Sequence, residues 1–232
     1  MFLIRSLKLD TPKNLYHCLH MNIIPDYSAK KLRSALMFFS FCAASIFIML
    51  SPNQAAAHPH VFVDCTLTFE FDSEGLRGVR QKWWFDEMFA TMILGDFDID
   101  RDNKLSSEEA KALENGAFVN LKNFDYFTTI LVDGRKHTIA TATEFKSTIE
   151  DSTLVYKFFI PCRVKQDGKK HTIITAIYDD SLYTAFGLDF TNKINGLPSS
   201  TAANLEVDIP EALASLFLQM TPEAAVLTFG PK

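Results

Sequence analysis

The stretch His60-Val61-Phe62-Val63-Asp64-Cys65-Thr66-Leu67-Thr68-Phe69-Glu70-Phe71 places an apolar side chain at every second position. A period of two predicts a β-strand with one buried face. Turn-forming residues follow at 72–75, and a second apolar stretch covers 76–85. We therefore predict a β-hairpin over residues 60–85.

Downstream of this hairpin, the apolar spacing becomes helical at about residues 86–124, on both sides of an acidic loop. The period of two then returns. Further strands are predicted at 127–132, 136–142, 154–164, 171–178, 182–190 and 225–229, with a loop at 192–203 and a short helix at 210–219. The sequence thus predicts a mainly β fold with an α insert (α+β), an antiparallel β-sandwich-like domain with an EF-hand-like helical hairpin after its second strand.

Upstream of the hairpin, the chain has the order of parts of a secretory signal. Lys30, Lys31 and Arg33 precede an apolar run at 35–50, and Ala55-Ala56-Ala57 offers a cleavage site. The alternative is a membrane anchor, but the run is shorter than the roughly 20 residues that span a bilayer. We predict an extension and cleaved signal at 1–57, a single β-rich domain at 58–232, a periplasmic location and no stable membrane insertion after cleavage.

The predicted mature chain is acidic. Removing residues 1–57 takes away six of the 23 basic and two of the 28 acidic residues, which leaves a formal charge of −9. Phosphate backbones require Lys and Arg partners, so we predict no nucleic-acid binding. Cys65 and Cys162 remain, and in an oxidising compartment they could form a disulfide or stay as two buried thiols.

The acidic loop Asp98–Glu109 matches the twelve-residue calcium loop of EF-hands. Calcium takes six to eight oxygen ligands from loop positions 1, 3, 5, 7, 9 and 12. The corresponding residues are Asp98, Asp100, Asp102, the Lys104 carbonyl, Ser106 and Glu109. Position 6 is Asn103 instead of the usual glycine, and Asn tolerates the positive φ needed there. We predict a structural Ca²⁺ site; the alternative is a solvated acidic loop that caps a helix.

Two histidines, His58 and His60, flank Pro59 at the predicted mature N-terminus. Imidazole nitrogens suit Ni²⁺, Co²⁺, Zn²⁺ or Cu²⁺. Pro59 has no amide N–H to deprotonate, so any such site must recruit side chains from elsewhere. The candidates for this are Asp64, His137, His171, Asp179 and Asp180. The alternative is that both histidines form ordinary hydrogen bonds at the end of the first strand.

No motif in the sequence indicates catalysis. Asp86 and Glu87 could form an acid/base pair, but carboxylates are also favoured at a helix start by the macrodipole. The sequence contains no recognisable Ser/His/Asp, Cys/His or phosphate-loop arrangement. We therefore predict a protein that is not an enzyme, with a hydrolase as the weakest alternative.

Several segments resemble a known family when taken in order. They are 58–64 with its His-Pro-His start, 84–87, the acidic loop, 126–128 and 178–179. The chain resembles a bacterial exported family of unknown function, described as the periplasmic component of an uncharacterised ABC-type transport system. The resemblance implies an accessory role near transition-metal transport, of nickel, cobalt or zinc, and a partner in an inner-membrane metal transporter.

Two functional hypotheses follow. In the first, the protein is a periplasmic metal-handling accessory of a transition-metal transport system. His58 and His60 carry the metal, and calcium rigidifies the helical insert. In the second, the protein is a calcium-stabilised interaction module that docks on a transporter or envelope partner and has no transition-metal role.

Overall fold

The computed structural model describes residues 31, 33, 34, 36–41, 60–189, 191–218 and 220–232. The chain divides into two compact units, Met1–Ala55 and Ala56–Lys232. In the first unit, the described residues are helical and exposed. The predicted cleavage site and His58 lie outside the described residues. Across the described ranges, no helix is both long and apolar enough to cross a bilayer.

The second unit is built mainly of strands, with its α-helices between the second and third strands. Its elements in chain order are β1 Val61–Asp72, β2 Gly75–Phe85, α1 Glu87–Phe97, α2 Ser107–Gly116, a 3₁₀ segment Phe118–Phe127, β3 Thr128–Val132, β4 Arg135–Lys136, β5 Thr143–Glu150, β6 Thr153–Lys165, β7 His171–Ile177, β8 Thr184–Leu188, β9 Lys193–Asn195, β10 Thr201–Asp208, a 3₁₀ turn Glu211–Leu213 and β11 Ala224–Pro231. The predicted α+β class is confirmed.

The strands form two sheets that share one core. The first sheet has the order β5-β6-β2-β1-β8, with β9 also pairing with β1, and the second has the order β10-β11-β7-β3-β4. Most pairs are antiparallel, but β8 and β9 run parallel to β1. The arrangement is therefore sandwich-like but not wholly antiparallel.

Four local predictions need correction. The strand predicted at 136–142 ends at Lys136, and beyond it Ile139 is buried in the core without strand pairing. The following strand, β5, was missed because it is mostly exposed and its most buried position is the polar residue Ser147, so only Phe145 and Ile149 mark its inner face. The predicted loop at 192–203 contains β9 and the start of β10. The helix predicted at 210–219 is reduced to a 3₁₀ turn at Glu211–Leu213.

The predicted hairpin is formed by β1 and β2, and its alternation matches the burial. Every odd residue of β1 from Val61 to Phe71 is buried. The turn uses Gly75 at φ +136°, where a Cβ atom would lie 2.3 Å from the carbonyl oxygen of Val164. Because this distance is far below van der Waals contact, only glycine fits at the hairpin turn.

Cys65 and Cys162 are both buried free thiols, which confirms the thiol alternative over the disulfide. Cys65 lies opposite Trp83, whereas Pro161, next to Cys162, lies opposite Gly78 on the other side of β2. This register separates the cysteines by about 20 Å, well beyond disulfide reach. Burial raises the pKa of the Cys162 thiol to about 11, so the thiol is not activated as a nucleophile.

A chain of buried hydrogen bonds crosses the core between the sheets. The Trp83 indole N–H donates to the Gln81 side-chain oxygen at 2.9 Å, and the Gln81 amide donates to the Thr128 hydroxyl at 2.9 Å. The Thr128 hydroxyl in turn donates to the carbonyl oxygen of Tyr126 at 2.8 Å. These bonds fix β2 of the first sheet against the start of β3 in the second.

His171, at the start of β7, joins two turns at one end of the second sheet. Its Nδ1 lies 2.8 Å from Asp133 Oδ2, and its Nε2 lies 3.0 Å from Asp167 Oδ1. Partial burial favours the neutral ring, but the hydrogen bonds to the two carboxylates outweigh this and raise the pKa of His171. The two carboxylates contact opposite sides of the ring, so the arrangement is an ionic clasp.

We expect this clasp to make stability depend on pH. Because the folded-state pKa of His171 is raised above its unfolded value, its contribution is complete below about pH 6.5 and is lost as pH rises through the folded pKa. The stability lost in His171→Gln relative to the parent should therefore be about 1 kcal/mol larger at low than at high pH. Urea unfolding at pH 5.5 and pH 9 measures this difference. His137→Gln is the control. A stability loss in His171→Gln that is equal at both pH values would contradict the clasp, as would an equally pH-dependent loss in the control.

Candidate metal centre

The helical insert is joined to the β-domain by Asp86, which directly follows β2. Its carboxylate accepts from the backbone N–H of Phe89 at 2.9 Å, and so caps α1. It also accepts from the backbone N–H of Phe62 at 2.7 Å. The interpretation of Asp86 as a helix-start carboxylate is confirmed, and the bond to Phe62 adds a link to β1.

The loop after α1 gathers three carboxylates. The ligand oxygens of Asp98, Asp100 and Asp102 all lie within 4.8 Å of one another. Asp98 is buried at 8% exposure, whereas Asp100 and Asp102 are open to solvent. Three anionic oxygens at this spacing could hold a metal ion, which would offset their mutual repulsion.

Backbone amides inside the loop hold these carboxylates in place. Asp98 accepts from the N–H groups of Asp102 at 3.2 Å and Asn103 at 2.9 Å, and Asp102 accepts from Lys104 at 2.8 Å. Asn103 has φ +60°, as its place at the sixth position of the loop predicted. Arg101 also has positive φ, at +61°, which the sequence did not reveal because arginine has no preference for that region.

Glu109, the last predicted ligand, is engaged by the backbone. Its two carboxylate oxygens accept from Ile99 at 2.6 Å and from Ser106 at 2.9 Å, while the Ser106 hydroxyl accepts from the Glu109 N–H at 3.3 Å. This is a capping box at the start of α2. The hydrogen bonds from Ser106 and Ile99 lower the pKa of Glu109, so it stays ionised. The same carboxylate thus ties both ends of the loop together.

Electrostatic repulsion concentrates on the middle carboxylate of the loop. Although Asp100 is exposed, partial loss of hydration in the crowded loop, followed by the negative charges of Asp102 and Glu109, raises its pKa. A raised carboxylate pKa means that ionisation is less favourable in the folded loop than in the unfolded chain. A bound cation would reverse this effect. The roles of Lys104, Ser106 and Glu109 as ligands stay predictions.

The candidates for a histidine metal site that lie within the described residues are not gathered into one site. His60 is exposed, with its ring centroid 5.1 Å from that of Tyr183. The His171 ring is held between two carboxylates, His137 contacts the Pro161 carbonyl oxygen at 3.0 Å, and Asp179 accepts from Ser181 and Thr184. Among the described residues, the aspartate triad is the only cluster of three metal-ligating side chains.

Comparison with known proteins places the chain in a family. Residues 43–224 match the family model described as protein of unknown function, DUF1007. The chain belongs to the DUF1007 family. A similar protein from Spirochaeta aurantia, described as an uncharacterized 15.5 kDa protein in trpE 3'region, is 33% identical over 89 residues, or 38% of this chain. The matched part is 63% of that relative's length.

In this DUF1007 protein, we expect the sixth loop position to control cation affinity. Asn103→Gly relieves the positive-φ strain and should keep or raise the affinity for a divalent cation. Asn103→Val places a β-branched residue at φ +60° and should lower it about tenfold, because such residues lose 1–2 kcal/mol there. Calorimetric titration with calcium measures both variants, and Asn204→Val on exposed β10 is the control. Equal affinity in the Gly and Val variants would contradict the loop geometry as the binding site.

Proposed function

We propose that this protein is a non-catalytic, calcium-binding module of the bacterial periplasm. In this proposal, one Ca²⁺ at Asp98–Glu109 rigidifies the helical insert, and the insert docks on an envelope partner such as an inner-membrane transporter. The observation that carries the proposal is the convergence of three aspartates within 4.8 Å in a loop closed by Glu109.

The donor set of the loop favours calcium over transition metals. Its donors are carboxylate, hydroxyl and carbonyl oxygens, which hard cations prefer, whereas Ni²⁺, Cu²⁺ and Zn²⁺ select nitrogen and sulfur. Calcium also tolerates irregular coordination by six to eight oxygens, which an open loop can supply together with water. Magnesium demands a near-octahedral cage, and the exposed Asp100 and Asp102 do not provide one.

The packing of the insert supports a structural role for the cation. Ala90 and Ile93 of α1, Leu113 of α2 and Phe118 after it belong to the main core. Leu105, at the eighth loop position, packs against the same core. Because the helices already lie on the sheet, the cation acts by removing carboxylate repulsion in the loop that connects them.

An apolar outer face on the insert supports docking. Met88 and Met92 lie four residues apart on α1 and are 67% and 54% exposed, and Ile99 in the loop is 81% exposed. Residues at this spacing share one face of a helix. Methionine side chains adapt to varied apolar surfaces and recur at protein-binding faces. In this proposal the face contacts the partner and the calcium loop fixes its orientation.

We expect calcium to stabilise the parent protein and not the variant Asp98→Asn with Glu109→Gln. At about 10 mM, calcium is 10- to 100-fold above the affinity range of extracellular modules, which corresponds to about 1.4–2.7 kcal/mol. The melting temperature should rise by about 3–10 °C. Hydrogen exchange should slow in α1 and α2 but not in β10. A calcium response retained in the double variant, or protection spread evenly over both sheets, would contradict the proposal.

Transition-metal handling by His58 and His60 is a second candidate role. The exposed ring of His60 at the edge of the domain favours it, because an incoming or departing metal needs open access. The family resemblance to a transport component agrees with this role. The other candidate ligands among the described residues are dispersed, which counts against a preformed site. His58 and His60 would therefore have to complete the coordination of a metal ion with water or with side chains of a partner.

The two roles separate in the variant His58→Ala with His60→Ala. Metal handling predicts near-stoichiometric nickel, cobalt, zinc or copper in the periplasmically processed parent, lost in the variant while calcium is retained. Elemental analysis, with the N-terminal mass checked, measures this. The His137→Ala variant is the control for non-specific imidazole binding. Calcium alone in the parent, with no uptake of the four offered metals, would eliminate the transition-metal role.

A further inference from the structure

An apolar cavity of about 210 Å³ lies between the first sheet and the helical insert. Aromatic rings form most of its wall. Trp83, Phe85, Phe118 and Tyr156 are almost completely buried, whereas Phe127 is half-buried and Tyr183 is 55% exposed. The cavity is therefore deep at the sheet and open towards Phe127 and Tyr183.

The surrounding structure keeps this space open. Ala117 presents only a methyl group to the cavity wall where α2 ends. On another side, Asp125, Tyr126 and Phe127 have consecutive φ values of +51°, +54° and +51°. Each non-glycine residue in this region costs about 1–2 kcal/mol, and such strain concentrates at ligand sites. The Phe127 ring, 5.4 Å from that of Phe186, is held at the cavity by this turn.

Tyr156 is the most deeply buried wall residue that carries a hydroxyl group. Tyr156 is 3% exposed, and burial strongly raises its pKa. The ring contacts Phe85, Phe118 and Phe145, but the hydroxyl makes no hydrogen bond with any residue of the described part of the chain. Because Tyr156 lines the cavity, its unpaired hydroxyl is free to form a hydrogen bond with a polar substituent of a molecule bound there.

We propose that this cavity binds a small neutral aromatic molecule of one ring with a hydroxyl group, of the phenol class. A cavity of about 150 Å³ holds benzene, so 210 Å³ accommodates one substituted ring. The ring packs edge-on or offset against the aromatic walls, and its hydroxyl pairs with Tyr156. No charged residue of the described chain lines the cavity, and burying an unpaired ligand charge there would be costly. This site is separate from the aspartate loop.

Calorimetric titration of the full chain with phenol and with toluene tests the proposal. Both probes should bind, and phenol should bind more tightly. Ala117→Leu fills the cavity and should weaken both probes at least about tenfold, the effect of added bulk in an apolar pocket. Ala112→Leu, exposed on α2, is the matched control and should bind as the parent does. Thermal melting confirms that each variant is folded.

Tyr156→Phe separates the hydroxyl contact from the cavity itself. It should weaken phenol about fivefold, the value of one hydrogen bond, and leave toluene unchanged. If neither probe binds to the folded parent, the proposal is overturned, and the cavity would instead be interpreted as a site for a side chain of a partner protein. Equal binding to the Ala117→Leu and Ala112→Leu variants would also overturn it, as would a phenol affinity unaffected by Tyr156→Phe.

Discussion

The hydrogen bond from Gln81 to Thr128 crosses the apolar core from one sheet to the other, and the remaining packing is arranged around it. Both residues are almost fully buried, so losing one partner would leave a desolvated polar group at a cost of about 1–3 kcal/mol. Trp83 completes the pairing of the Gln81 oxygen, which fixes the indole against Phe158 and Phe186. Because Thr128 also bonds to the Tyr126 carbonyl, the same chain holds the left-handed turn in place before β3. One buried polar connection thus sets the spacing of the sheets and the position of the turn that borders the aromatic cavity.

Asp86 has a comparable role at the boundary between the β-domain and the insert. Its two oxygens accept from Phe62 in β1 and Phe89 in α1, so the direction of α1 is fixed relative to the hairpin before any loop residue contributes. At the other end of the loop, Glu109 accepts from Ile99 and Ser106. The loop is therefore closed by backbone hydrogen bonds, and repulsion among its aspartates acts against a fixed frame. Such an arrangement favours cation binding because little chain entropy is lost when the ion arrives.

Strong local patterns made much of this molecule predictable. The alternation in residues 60–71 gave β1 because one face is buried, and the loop spacing indicated that Asp98, Asp100 and Asp102 would converge. Sequence reasoning failed at the edge strands β5 and β10, whose inward-facing side chains are few and only partly buried. The alternation of Ala203, Leu205 and Val207 with polar residues was present in β10 but was assigned to a loop because of the Gly, Pro and Ser residues before it. Sequence reasoning also could not decide whether Cys65 and Cys162 lie within disulfide distance, because that distance depends on the strand register on both sides of β2. The cavity could not be predicted for a related reason: its rings come from segments as far apart as Trp83 and Phe186, and each is indistinguishable in sequence from an ordinary core residue.

The metal centre and the cavity are built on the same two helices. Helix α1 carries Phe89 at the cavity and is followed by Asp98, while α2 carries Glu109 in its first turn and is followed by Ala117 in the cavity wall. A change in the angle between these helices therefore alters the loop and the cavity together. If a cation and an aromatic ligand favour the same helix arrangement, each raises the affinity of the other by the same factor. If they favour different arrangements, each lowers it. Because Asp86 bonds to both β1 and α1, α1 is tied to the hairpin, and α2 is the element through which the two sites would communicate.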